Sequence, residues 1–186
     1  THTVAPPTPT ATFTPLPPVA VAQVVAAPVA SPTPAQAMVL SAAPAPPQRA
    51  VAWDVRLNAM PVRIVGVDVP AGQAYWRIAE VRWANEQEAQ GKHHIYVDMV
   101  DENGNRLVGH RVEIHWSGGQ DTMTIEDKPA PEYGANFPMY AVLGTYHIRG
   151  HGLPTETLTG LGLGTPELPA WKIHTCFYVK FQRTIR

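Results

Sequence analysis

The chain has 186 residues, 45% of them apolar and 16% charged, with a formal net charge of −1. Near-neutral charge argues against an electrostatic nucleic-acid footprint, which needs a basic patch or stripe. No run approaches the roughly 18 apolar residues of a membrane-crossing helix.

The averages conceal a division. Residues 1–50 hold 12 of the 20 prolines, none of the 14 glycines and one charged residue, Arg49. Composition therefore predicts a Pro/Ala/Thr/Val-rich tail over 1–50 and a globular domain over 51–186. Because the chain starts at Thr1 rather than Met, it is expected to derive from a longer precursor after removal of a signal segment. Within the tail, Thr8-Pro9, Thr14-Pro15, Ser31-Pro32 and Thr33-Pro34 favour extended backbone, because proline fixes φ and restricts the residue before it. Such a segment has too few large side chains to build a core of its own and reads as a stalk. Two proline-free windows depart from that composition: one contains Val19, Val21, Val24 and Val25, the other Val39 and Leu40. Uncharged windows of this β-propensity tend to pair with another strand, so these six residues are candidate contacts to a neighbouring subunit by strand addition.

From residue 51 the hydrophobic period is two. In chain order, strands are expected over 62–69, 75–83, 94–100, 110–116, 121–126, 141–149, 155–159 and 171–181. The last of these puts Trp171, Phe177, Val179 and Phe181 in one phase. Asn103-Gly104 and Ser117-Gly118-Gly119 are hairpin signals, since glycine reaches positive φ without a Cβ clash. Residues 127–138 read as a long irregular connection, and the helix-like stretch 84–90 is short. Seven or eight short strands without βαβ alternation predict an all-β antiparallel sandwich.

Asp101-Glu102-Asn103-Gly104-Asn105-Arg106-Leu107-Val108-Gly109-His110-Arg111-Val112-Glu113-Ile114 resembles the strand–turn–strand signature of bacterial immunoglobulin-like domains of the invasin and intimin type. More loosely, His93-His94-Ile95-Tyr96, Glu126-Asp127-Lys128-Pro129, Asn136-Phe137-Pro138-Met139 and Gly160-Leu161-Gly162-Leu163-Gly164 make the domain similar to β-sandwich modules appended to secreted bacterial cell-wall hydrolases. The resemblance implies an immunoglobulin-like fold and an extracellular or cell-surface, non-catalytic role.

Candidate chemistry is sparse. His93 and His94 would point to opposite faces of a strand, and the other histidines show no zinc-ligand spacing. Glu126, Asp127 and Glu132 are weak calcium candidates on the long connection. Glu80, Asp98 and Glu113 lie in separate strands, with nothing to bring two of them to catalytic separation. The lone Cys176 reads as a small strand residue, and no other cofactor is indicated. Gly160 to Gly164 reads as a close-packed or ligand-approaching loop. Tyr75 and Trp76 are out of phase with each other, so one is expected to expose an aromatic face to a glycan or a subunit. Two functions follow. The first is an extracellular structural subunit that polymerises through its tail with copies of itself. The alternative is a non-catalytic module binding cell-wall polysaccharide from a Pro-rich stalk.

Overall fold

A computed structural model describes residues 50–186, so the tail candidates Val19, Val21, Val24, Val25, Val39 and Leu40 lie outside the described residues. The elements are β1 (Ala52–Trp53), a 3-10 helix (Val55–Ala59), β2 (Arg63–Val65), β3 (Ala74–Ala84), α1 (Glu86–Ala89), β4 (His94–Val100), β5 (Arg111–Trp116), β6 (Gly119–Thr124), β7 (Ala135–Pro138), β8 (Tyr146–Gly150), β9 (Thr157–Leu161) and β10 (Cys176–Ile185). They form two five-stranded sheets, ordered β1-β3-β10-β4-β7 and β2-β9-β8-β5-β6. The second sheet is antiparallel throughout. The first is mixed, because β10 runs parallel to β4 and β1 runs parallel to β3. The expected purely antiparallel sandwich is corrected on that point.

The core lies between the sheets and takes the apolar phase of each strand: Ile95, Val97 and Met99 of β4, Val112 and Ile114 of β5, Phe177, Val179 and Phe181 of β10. Two irregularities shape it. Opposite Lys180 and Phe181 the register of β3 jumps from Glu80 to Ile78, so Ala79 is a bulge that reverses the strand's phase. Trp76 and Ile78 before it, and Val81 and Trp83 after it, therefore all face the core. On β9, register with β8 jumps from Leu158 to Leu161 across Gly160, which has φ +86°.

Several boundaries differ from expectation. Residues 135–138 form a strand rather than irregular chain, because pairing with His94–Val97 satisfies their backbone groups; proline is tolerated at such a sheet edge. Residues 141–145 are a turn bonded to Gly160, Leu161 and Leu163, so β8 begins at Tyr146. The final strand begins at Cys176, and Trp171, expected in the core, is 61% exposed. The Asn103-Gly104 turn closes a short ladder marked by the Val100–Arg106 bridge, after which the chain crosses to the other sheet. It does not join β4 to β5 as a hairpin.

Candidate functional site

Polar-phase residues of the first sheet line up across its outer face through strand register. Tyr178 of β10 is opposite Arg82 of β3 on one side and Tyr96 of β4 on the other, and Tyr96 is opposite Asn136 of β7. One step along the strands, Lys180 lies opposite both Glu80 and Asp98. Parallel pairing of β10 and β4 stacks the two tyrosines: their ring centroids are 5.0 Å apart with planes 11° from parallel. The Arg82 guanidinium sits 3.8 Å from the centroid of Tyr178, within cation–π range.

The 126–134 connection roofs this row. Arg106 grips Asp98 through two bonds, Nε to Oδ1 at 2.8 Å and Nη2 to Oδ2 at 2.9 Å. The same guanidinium donates to the carbonyls of Lys128 and Glu132. Gly134 N–H donates to Asp98 Oδ1 at 2.9 Å. A Cβ at Gly134 would lie 2.5 Å from Ile125, so only glycine lets the loop close down here. The clasp sets Tyr133 against the row, 5.4 Å from Tyr178 and 6.3 Å from Tyr96 between centroids. Between roof and sheet opens a cleft of about 660 Å3, also lined by Lys92, Lys128 and Glu132.

Burial pushes the Tyr96 phenol up to about 12 and, with the Glu80 charge adding to it, Tyr133 up to about 12. Burial raises Tyr178 as well. All three are neutral hydroxyls at physiological pH, each able to donate and accept a hydrogen bond beside its ring face. The aromatic surface continues past Tyr96 to His94 at 5.5 Å, His93 at 5.2 Å from His94, and then His174 and the exposed Tyr140 at 4.8 and 5.4 Å from His93. Burial, then the neighbouring His93 and Lys92, hold His94 below its ordinary range.

The residues expected to carry the site fare differently. Trp76 is 1% exposed and Tyr75 6%, so neither offers a face to a ligand. The Ala79 bulge explains the correction: it turns Trp76 inward, onto Gly150, where its Nε1–H donates to the His151 carbonyl at 3.0 Å. His93 precedes β4, so strand alternation does not separate it from His94 as expected. Glu126 pairs with Lys128 at 3.0 Å, and the structure does not gather it with Asp127 and Glu132. Among the described residues, no group of three or more His, Cys, Asp or Glu could hold a metal ion. Glu80 is bound by Lys180 at 2.8 Å and Asp98 by Arg106, while Glu113 lies on the other sheet. Cys176 is buried, accepts a hydrogen bond from His94 N–H at 3.4 Å, and is pushed up by burial, which keeps it a thiol. The glycine-rich stretch is closely packed: a Cβ on Gly160 or Gly162 would lie 2.2 or 2.0 Å from a backbone carbonyl oxygen.

A second cleft of about 760 Å3 is lined by Trp76 and Arg183 of the first sheet and Arg111 of the second, and its charged groups are already engaged. Arg183 pairs with Glu102 at 2.8 Å. His151 donates through Nδ1 to Glu113 at 2.6 Å and accepts from Arg111 at its other nitrogen at 2.9 Å, leaving neither ring nitrogen for a substrate. The tyrosine cleft is different in kind, lined by phenol rings and hydroxyls together with the exposed Arg82 and Asn136.

Sequence reasoning missed Tyr96, Tyr133, Tyr178 and Arg82. The signal for two of them was present, since Tyr96 and Tyr178 are aromatics in the polar phase of correctly located strands. Their adjacency depends on pairing two strands about 80 residues apart, which periodicity does not report. No protein-family model, curated protein or solved structure matches the chain.

Proposed function

We propose that residues 51–186 are a non-catalytic glycan-binding module, carried by the Pro-rich segment in an extracellular bacterial cell-wall or cell-surface setting. The observation that supports this reading is the in-register row Arg82–Tyr178–Tyr96–Asn136 under Tyr133. Pyranose rings present C–H faces that stack on aromatic rings and a rim of hydroxyls that needs donors and acceptors. The row supplies phenol rings against which a sugar can pack and, in its hydroxyls, Arg82 and Asn136, the donors and acceptors, all on a rigid sheet, which limits the ordering cost of binding. Within the two-sheet sandwich, assignment to the invasin- and intimin-like immunoglobulin class is part of this proposal; it rests on the stretch 101–114. Binding to insoluble polysaccharides tests the function. Tyr178→Ala and, on the loop, Tyr133→Ala should each weaken retention about tenfold, the worth of one well-placed aromatic contact. Unchanged retention by both variants, with native far-UV circular dichroism, would exclude the cleft as the site.

A second reading, the tail-linked homopolymer, is favoured by one edge. β6 pairs with β5 on one side, and the alternation of an antiparallel ladder turns the backbone groups of Gln120, Thr122 and Thr124 outward. Among the described residues no other strand pairs with them. The donor would be a copy's tail, pairing with the backbone of these three residues, where Thr122 N–H would exchange its 2.7 Å bond to the Asp121 carboxylate for the new ladder.

A further inference from the structure

We infer that the tyrosine cleft is built for an acidic glycan, one whose sugars carry carboxylates; this rests on the glycan-binding reading above. Most carboxylates around the cleft are already paired within the fold. Glu80 is held by Lys180, Asp98 by Arg106, Glu88 by Arg56, and Glu126 by Lys128. Arg82 and Lys92 line the cleft, both are exposed, and neither makes an ion pair among the described residues. Glu132 on the loop is the opposing exposed carboxylate, so the cations of the lining still outnumber the anions. The surplus is local, because the whole chain has a formal charge of −1.

Geometry narrows the choice of anion. The Arg82 guanidinium is 3.8 Å from the Tyr178 ring centroid, so cation and phenol line the cleft together. Because Tyr178 stacks on Tyr96, a sugar in the cleft meets the edges and hydroxyls of the pair, which places a ring substituent beside that guanidinium. A guanidinium edge presents two parallel N–H donors, which match the two oxygens of a carboxylate. Lys92, at the His94 end of the same cleft, supplies a second point charge for the next acidic unit along a polymer. Arg82 makes no ion pair among the described residues, whereas the Arg56 and Arg106 guanidinia are already held by carboxylates in the fold.

The test uses the full 186-residue chain in affinity electrophoresis and sedimentation with polygalacturonate and hyaluronate. Each polymer is run beside its methyl ester, and chitin serves as a further neutral polymer. The esters keep the backbone and hydroxyls and remove only the charge. Binding should favour each acid over its ester by about tenfold at low salt, and the preference should shrink as NaCl is raised, because exposed charges are screened. Arg82→Gln with Lys92→Gln should erase the preference, bringing binding of each acid down to the level the same variant shows for its ester. Equal binding of acid and ester, or binding to chitin alone, overturns the inference and leaves the glycan reading standing. Retention of no polymer overturns both. A preference that survives the double variant overturns the assignment to these two cations.

Discussion

Gly160 shows how a single atom decides the packing. It occupies the bulge of β9 at φ +86°, a conformation that costs a residue with a Cβ roughly 1 kcal/mol or more. An added Cβ would also sit 2.2 Å from the carbonyl oxygen of Pro61, which is backbone and cannot rotate aside. Strain and collision act together, so Gly160→Ala is expected to destabilise the domain by about 3 kcal/mol or more. Urea unfolding measures this, and a loss below about 1 kcal/mol would mean that the β8–β9 bulge is not as tight as described. The same reasoning decides between the two roles open to the glycine-rich stretch. Its glycines admit backbone from Pro61 and Val142 rather than a ligand. The tyrosines of the cleft are the opposite kind of residue, for they are large, ring-exposing and placed by register instead of by a local turn.

At the scale of the strand, alternation accounts for most of what faces where, and the exceptions are bulges and edges. The long β3 edge is closed against further pairing by four devices. Trp76 N–H bonds to the Pro154 carbonyl at 2.8 Å, Ile78 N–H to the Glu156 carboxylate at 2.7 Å, and Val81 accepts from Asp54 N–H at 3.0 Å. Trp83 N–H, the fourth, bonds to the Asp54 carboxylate at 3.2 Å. Such capping removes a template for unwanted strand addition. On the outer face of the second sheet, Glu113 of β5 gathers His151 at 2.6 Å, Arg149 at 2.7 Å and His115 at 3.3 Å. These partners, the His151 bond first, hold its carboxyl down to about 2. A depressed carboxylate contributes stability above its unfolded pKa and loses it as pH falls through the folded value. The contribution should therefore be complete above about pH 4.5 and vanish toward pH 2. The partners are a third or more exposed, which screens the gain, so Glu113→Gln should cost only about 1 kcal/mol at pH 7. Urea midpoints of parent and variant at pH 7, 5 and 3 should converge on acidification. A gap that does not change with pH would assign the cost to packing.

For the whole molecule, the question is what the proline-rich segment does for the sandwich. A closed two-sheet core formed by residues after 50, with Trp76, Phe177 and Phe181 fully buried, has no need of the preceding chain to complete it. Deleting residues 1–34 should leave unfolding cooperative and glycan retention intact. If the tail links subunits through the β6 edge, the same deletion should also convert polymers seen by sizing chromatography and negative-stain microscopy into monomers. A parent chain that is monomeric from the outset, or polymers that persist after the deletion, would end the strand-addition reading.

The all-β class, the locations of β3, β4, β5 and most of β10, and the inward phase of Val112, Ile114, Phe177, Val179 and Phe181 were legible in the residues. Each depends on interactions within a few positions of the chain, and a period of two repeats too regularly to be mistaken. What the residues could not convey were the events between distant segments. The Ala79 bulge, set by pairing with β10, inverted the facing of Trp76. Parallel docking of β10 on β4 stacked Tyr178 on Tyr96, and the Arg106–Asp98 clasp brought Tyr133 over both. Contacts of this kind are chosen by which strand fits beside which once a common core is packed, and that choice is written in three dimensions rather than along the chain.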